Sequence, residues 1–347
     1  MATTLTNPYT RQVLDDAVQI YRDPNTFLVD TFFGRLRVEP SPSIMFDIVK
    51  GGRTVGAYVG PNDSAIPIDR ALFNTNTLTP PLLSFSRSIT GVDLERRLPG
   101  RNPFEGGDGA SELMAQDNLD LLNIHKRAEE LQAAQAIVSD SVALLDINGL
   151  NISGSAVVYG RNAALTPTAL AGNYVWGGTT SDPIGNLRTL SQLVQLYGDV
   201  MADVVVMRTS LYNTFAADTH VQAQLDVRRG PDTDQLSMRA MGLGATYRGT
   251  IDGLRIYTYD GAYKAPGSDT IQYYIPANKV VVGSTQAEGT RYYAQIFSSA
   301  AGGMVTTDRY LDTIEKQNPD AILVRAQSKP LLVPRRVDAF AVLQVVA

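Results

Sequence analysis

The 347-residue chain contains no cysteine, two histidines (His125 and His220) and one tryptophan, Trp176. Without thiols there is no disulfide framework, thiolate-bound zinc, iron–sulfur cluster or cysteine nucleophile. Basic and acidic residues nearly balance, 30 against 35, and a net charge of −5 gives no field to draw in DNA or an anionic membrane. No stretch offers the roughly 18 consecutive apolar residues of a membrane helix. The opening MATTLTNPYTRQVLDDAVQIYRDP carries Asp15, Asp16 and Asp23 and has no apolar h-region, so a secretion signal is not expected. The chain is expected to be made in a cytosol and to remain soluble.

What is present is apolar sequence, 44% of the residues, enough for two packed domains or one large one. Val13, Ala17, Ile20 and Tyr21 have helical spacing, broken at Asp23–Pro24, and TFLVDTFFG follows as an apolar patch expected to lie exposed and to dock on another chain. IMFDIV, a glycine turn and TVGAYV read as a hairpin. The proline-punctuated run from Gly60 to Leu82 reads as a long arm leaving the body of the subunit. From Ala110 to Asp146, apolar residues recur at steps of three and four (Leu121, Ile124, Ala128, Leu131, Ala134, Val138, Val142, Leu145), which predicts one helix about 50 Å long. That length matches the diameter of a compact globule of this size, so the helix is expected to be a spine. Beyond it, ISGSAVVYG and NYVWGG read as strands, Asp182–Gly185 as a domain boundary, and the remainder as mixed helices and strands: helices Leu187–Met201 and Ser210–Ala217, then DVVVM, ATYRGTI, GLRIYTYDG, NKVVVG, AILVRAQSKPLLVP and AFAVLQVVA. Without repeated βα alternation the class is α+β.

A catalytic constellation is not legible. The Gly283–Gly289 loop suggests a phosphate cradle, but it holds five residues between its glycines where a Walker A loop has four, and Thr290 stands at the lysine position. GLGATYRG has the first two glycines of a dinucleotide fingerprint, but its third is misplaced and no strand is expected before it, so it reads as a helix stop followed by a strand. Asp218 and His220 do not make a triad, Asp232 and Asp234 lack the other ligands of a calcium loop, and Glu129–Glu130 read as a solvated helix face. No cofactor, metal or catalytic residue is assigned. The arginine pairs Arg96–Arg97, Arg228–Arg229 and Arg335–Arg336 are candidates for bidentate contacts between chains, and the 16 tyrosines also suit contact surfaces. The projecting segments make sense if neighbouring copies complete them, which points to a structural protein.

VVVGSTQAEGTRYYAQI, LDVRRGPDTDQLSMRAMGLGATYRGTIDGLRIYTYDGAY, FLVDTFFGR, LERRLPGRNP, AQSKPLLVP and VDAFAVLQVVA together resemble the major capsid proteins of lambda-type tailed bacteriophages, the capsid protein E family, in order and over nearly the whole chain. The resemblance implies a Hong Kong 97-type fold: an N-terminal arm (1–43), a hairpin and E-loop (44–92), a P-domain with the spine helix (93–185 plus about 296–336) and an A-domain (186–295 plus about 337–347). It implies a virion protein, not an enzyme, whose hexamers and pentamers form an icosahedral shell around packaged double-stranded DNA. Its implied partners are further copies of itself, a portal protein, a separate scaffolding protein and a decoration protein, with no membrane. Expected intersubunit contacts are Phe32, Phe33, Arg96, Arg97, Arg228, Arg229, Glu288 and Arg291, with Glu288 and Arg291 pairing within or between subunits. Lys50 has no recognisable acidic partner, and the shells are expected to be non-covalent. The competing expectation is a nucleotide-binding enzyme built on the Gly283 loop; a tail or adhesion module would need β-repeats that are absent.

Overall fold

The computed structural model describes residues 24–49, 73–91, 93, 109–152, 156–222, 239–241, 244–298, 301–317 and 320–346, with isolated positions 55, 58, 60 and 64. The element order is α+β throughout, as expected. A six-stranded sheet runs in the order Phe340–Gln344, Lys279–Gly283, Val204–Met207, Leu254–Tyr259, Ala245–Ile251, Arg239–Met241. Val204–Met207 and Leu254–Tyr259 pair in parallel; the other pairs are antiparallel. The central strand VVVM is buried on both faces, which is why it is a continuous apolar run without alternation. The turn Asp252–Gly253 joins its hairpin with both residues at positive φ (50° and 81°), the geometry that Asp-Gly favours.

The long helix runs Gly109–Ser139, ending seven residues before the expected stop. Asp140 turns the chain into the left-handed region (φ 57°), and the Arg161 guanidinium donates to the carbonyls of Ala136 (2.9 Å) and Ile137 (2.7 Å). The apolar steps continue at Val142 because Ser141–Val142 is a short strand and Val142 is buried there. The cap that ends the helix comes from a residue more than 20 positions onward, so local spacing could not reveal it. Against one face of this helix lies the sheet Tyr310–Gln317, Asp320–Ser328, Leu83–Thr90, sealed by Ile89, Leu121, Val324 and Ala326.

A third sheet draws on distant parts of the chain: Arg35–Val38 pairs in parallel with Thr290–Tyr293, which pairs antiparallel with Pro330–Val333. Ile44–Val49 pairs with Phe73–Leu78, not with the expected TVGAYV; Val55 and Tyr58 carry no strand. Among the described residues this region is a two-stranded ribbon, and its returning strand takes residues that had read as loop. NYVWGG forms a 3-10 turn at Gly172–Tyr174, with Trp176 buried against Phe215 (ring centroids 5.4 Å). Asp182–Gly185 is the start of helix Pro183–Gly198: the Asp182 carboxylate accepts from the Gly185 amide at 2.9 Å, and proline fills the first turn. In GLGATYRG, Ala245–Gly249 belong to strand Ala245–Ile251, as read, but the element before it is the antiparallel strand Arg239–Met241 and not a helix; Gly242 and Leu243 lie outside the described residues.

The helix Phe27–Phe32 corrects another expectation. TFLVDTFFG is not an exposed patch: Phe27, Leu28, Val29, Phe32 and Phe33 are all 2% exposed or less and belong to the main core.

Candidate functional site

Three features could carry function: the Gly283 loop, the carboxylates of the long helix, and an apolar groove. The loop follows strand Lys279–Gly283, makes a 3-10 turn at Thr285–Ala287 and passes through Glu288 in the left-handed region. A phosphate cradle needs free amides. Here the Ser284 amide donates to the Ala339 carbonyl (3.1 Å), Thr285 to Asp203 Oδ1 (2.8 Å), Gln286 to Ser284 Oγ (3.2 Å), Ala287 to the Ser284 carbonyl (3.1 Å) and Gly289 to the Phe32 carbonyl (2.9 Å). Asp203, which also accepts from Thr285 Oγ1 and Arg255, puts a carboxylate where an anion would have to sit. The glycines serve packing: a Cβ on Gly289 would lie 2.4 Å from the Phe33 ring and 2.6 Å from the Phe32 carbonyl oxygen, and one on Gly283 would lie 2.8 Å from the Phe340 ring. The loop is a clasp for the helix Phe27–Phe32.

Glu129 and Glu130 are buried, at 2% and 0% exposure, and not a solvated face. Glu129 takes a two-pronged contact from Arg309 (2.9 and 2.8 Å) and the Tyr293 hydroxyl (3.0 Å). Glu130 accepts from the amides of Leu28 (2.8 Å) and Val29 (3.0 Å) and from the Tyr259 hydroxyl (2.7 Å). Burial pushes its carboxyl up to about 7, against the lowering effect of these three donors. Burial likewise raises the Tyr259 and Tyr293 hydroxyls, so both remain protonated donors. Sequence spacing placed these glutamates on the long helix but could not show that distant strands cover that face.

The groove, about 540 Å³, runs beside the long helix between Leu82, Leu131, Leu145, Ile152, Tyr263 and Ile271. Ile152 and Ile271 are 58% and 57% exposed, so apolar surface is left uncovered in the single chain. Among the described residues no group of three or more histidine or acidic side chains could hold a metal, and no helix is long and apolar enough to cross a membrane.

The family model of phage major capsid protein E matches residues 10–345. The chain belongs to this family. Among capsid relatives, the major capsid protein of Enterobacteria phage P21 is 25% identical over 347 residues, covering 97% of this chain and 98% of its own, and that of Escherichia phage lambda is 24% identical over 307 residues, 86% and 87% of the two chains. A capsid protein of an Escherichia coli CFT073 prophage, described as putative, superposes with a TM-score of 0.68 at 17% identity over 92% of each chain. The capsid structure of cyanophage P-SCSP1u gives 0.52 at 12% identity, covering 96% of this chain and 91% of its own. The fold is thus the Hong Kong 97-type capsid fold, and the role is that of a shell-forming major head protein.

The expected contact residues of this capsid subunit fall into three groups. Phe32 and Phe33 are spent inside their own chain, held by the Gly283 loop and by Phe340 (Phe32 ring at 5.1 Å), and leave no surface for a neighbour. Glu288 pairs with Arg35 (3.0 Å) and Arg335 (2.8 Å), not with Arg291, whose Nε is buried without a hydrogen-bond partner. Arg96, Arg97, Arg228, Arg229 and Lys50 lie outside the described residues.

Proposed function

We propose that copies of this chain tile into hexamers and pentamers, closing an icosahedral shell around the packaged double-stranded DNA of a tailed phage. The observation that carries this reading is the ribbon Ile44–Val49/Phe73–Leu78, which among the described residues pairs only with itself. Its root is anchored in the main core by Ile44 and Phe46, but Met45 on the other face is exposed and no third strand joins the ribbon among the described residues, so that uncovered face calls for a surface on another copy. The exposed apolar groove is the complementary need: it is surface that another copy of the chain covers in the shell. In this reading residues 1–43 and the ribbon region 44–92 are the arms, the long helix and its three-stranded sheet the P-domain, and the six-stranded sheet the A-domain. Each contact can be weak, since a subunit held at several points gains effective concentration at every further one.

Arg96, Arg97, Arg228 and Arg229 keep their proposed role as contacts between copies, and Glu288, with Arg35 and Arg335 around it, forms a charged surface cluster suited to the same work. The mild negative charge suits an inner wall along which DNA slides, because phosphate-gripping lysines would bind strongly. Portal, scaffolding and decoration proteins complete the head, which assembles in the host cytoplasm without covalent cross-links. The chain carries out no catalysis of its own.

Electron microscopy of the recombinant protein, alone and co-expressed with its neighbouring structural genes, tests the reading. Closed shells, tubes or ring-shaped capsomers are expected; a uniform small species under every condition overturns it. Nucleotides are expected to leave the melting temperature unchanged, and a rise would return attention to the Gly283 loop.

A further inference from the structure

Glu130 sits where three parts of the chain meet: the long helix, the first turn of Phe27–Phe32, and strand Leu254–Tyr259. Among the described residues it has hydrogen-bond donors but no cation. The titratable and charged groups around it are Asp30 on the short helix, which opposes its charge, Tyr259 on the strand, Tyr274 stacked on Tyr259 (6.1 Å), and Arg127 on the long helix, whose carbonyl accepts from Tyr274 (3.4 Å). Its neighbour Glu129 is neutralised separately by Arg309. Tyr259 has two acceptors within reach, Glu130 at 2.7 Å and the Asn25 carbonyl at 3.4 Å. Its hydroxyl can therefore donate to an ionised Glu130, or turn to Asn25 and accept from a protonated one.

We propose that Glu130 is a proton-operated latch fastening the helix Phe27–Phe32 to the long helix, closed when the carboxyl is protonated and loosened when it is ionised. Both states satisfy the local donors, but only the ionised one buries a charge with no partner of opposite sign. When the short helix lifts away, water reaches the carboxylate and its ordinary affinity for protons returns. Closed, the carboxyl titrates near 7, and open, near 4.5. The closed form therefore holds its proton more tightly, so the ratio of open to closed climbs as pH rises from about 4.5 to about 7, by as much as about 300-fold, and levels off above. The latch concerns the subunit itself and stands whether or not shells form.

Hydrogen–deuterium exchange on the full chain at pH 5, 6, 7 and 8, corrected for intrinsic amide chemistry, tests it. Protection of residues 24–33 is expected to fall with rising pH, while Val204–Met207 and Lys279–Gly283 hold steady. Glu130→Gln should remove the pH dependence, and Tyr259→Phe, which deletes a donor favouring the anion, should move the midpoint upward. Protection that is flat or rises with pH, or a Glu130→Gln protein with the wild-type slope, overturns the latch. Should Glu130→Gln fail to fold, an unmoved midpoint in Tyr259→Phe overturns it equally.

Discussion

Gly289 is held by what surrounds it. The Phe33 ring and the Phe32 carbonyl occupy the space a side chain would need, and the same carbonyl accepts the Gly289 amide. Gly289→Ala must push backbone as well as a ring, so a loss of about 1–3 kcal/mol is expected. A lower urea midpoint with an unchanged slope is the check; wild-type stability would show that the clasp yields freely. The two glycines of this loop were visible in the sequence, as was the failure of the Walker pattern, but their purpose was not. It depends on Phe33 and Phe340, which are far from the loop in the chain. The same holds for Glu129 and Glu130: their place on the helix was legible, whereas the strands that bury them lie more than 100 residues onward.

At the scale of elements, periodicity revealed most where one partner suffices. The long helix, strand Val204–Met207 and the Asp252–Gly253 hairpin follow from spacing, from a buried apolar run and from turn chemistry. The ribbon did not, because its returning strand, FNTNTL, is polar and has no face to betray it. That strand sets the boundary for a deletion. Replacing residues 50–72 with a two-residue Asn-Gly turn keeps the Val49–Phe73 pair in register while removing the far part of the arm. The expected product is a folded subunit, with wild-type melting behaviour, that forms no closed shells in electron micrographs. Normal shells from this variant would deprive the ribbon of its proposed role.

At the scale of the whole molecule, the exposed apolar rim of the groove separates folding from association. Ile152 and Ile271 contribute to no closed core in the single chain, so Ile152→Glu and Ile271→Glu should leave the melting temperature within about 2 °C while shifting light-scattering mass from assemblies to single subunits. Retained assembly would place the contact elsewhere.

The clasp around the helix Phe27–Phe32 also has a consequence in time. Its walls come from Glu130, Tyr259, Gly289 and Phe340, and the strand Arg35–Val38 lies beside Thr290–Tyr293. A ribosome makes Phe32 about 300 residues before Phe340, a delay of roughly 15–60 s at ordinary synthesis rates. Over that interval the apolar N-terminal segment has only part of its pocket, and the edge strand bearing Arg35 and Arg37 has no neighbour until Thr290–Tyr293 is made. The nascent chain must therefore keep five large side chains from strangers until its last strand emerges, which makes early contact with a chaperone an expected stage in the life of this subunit.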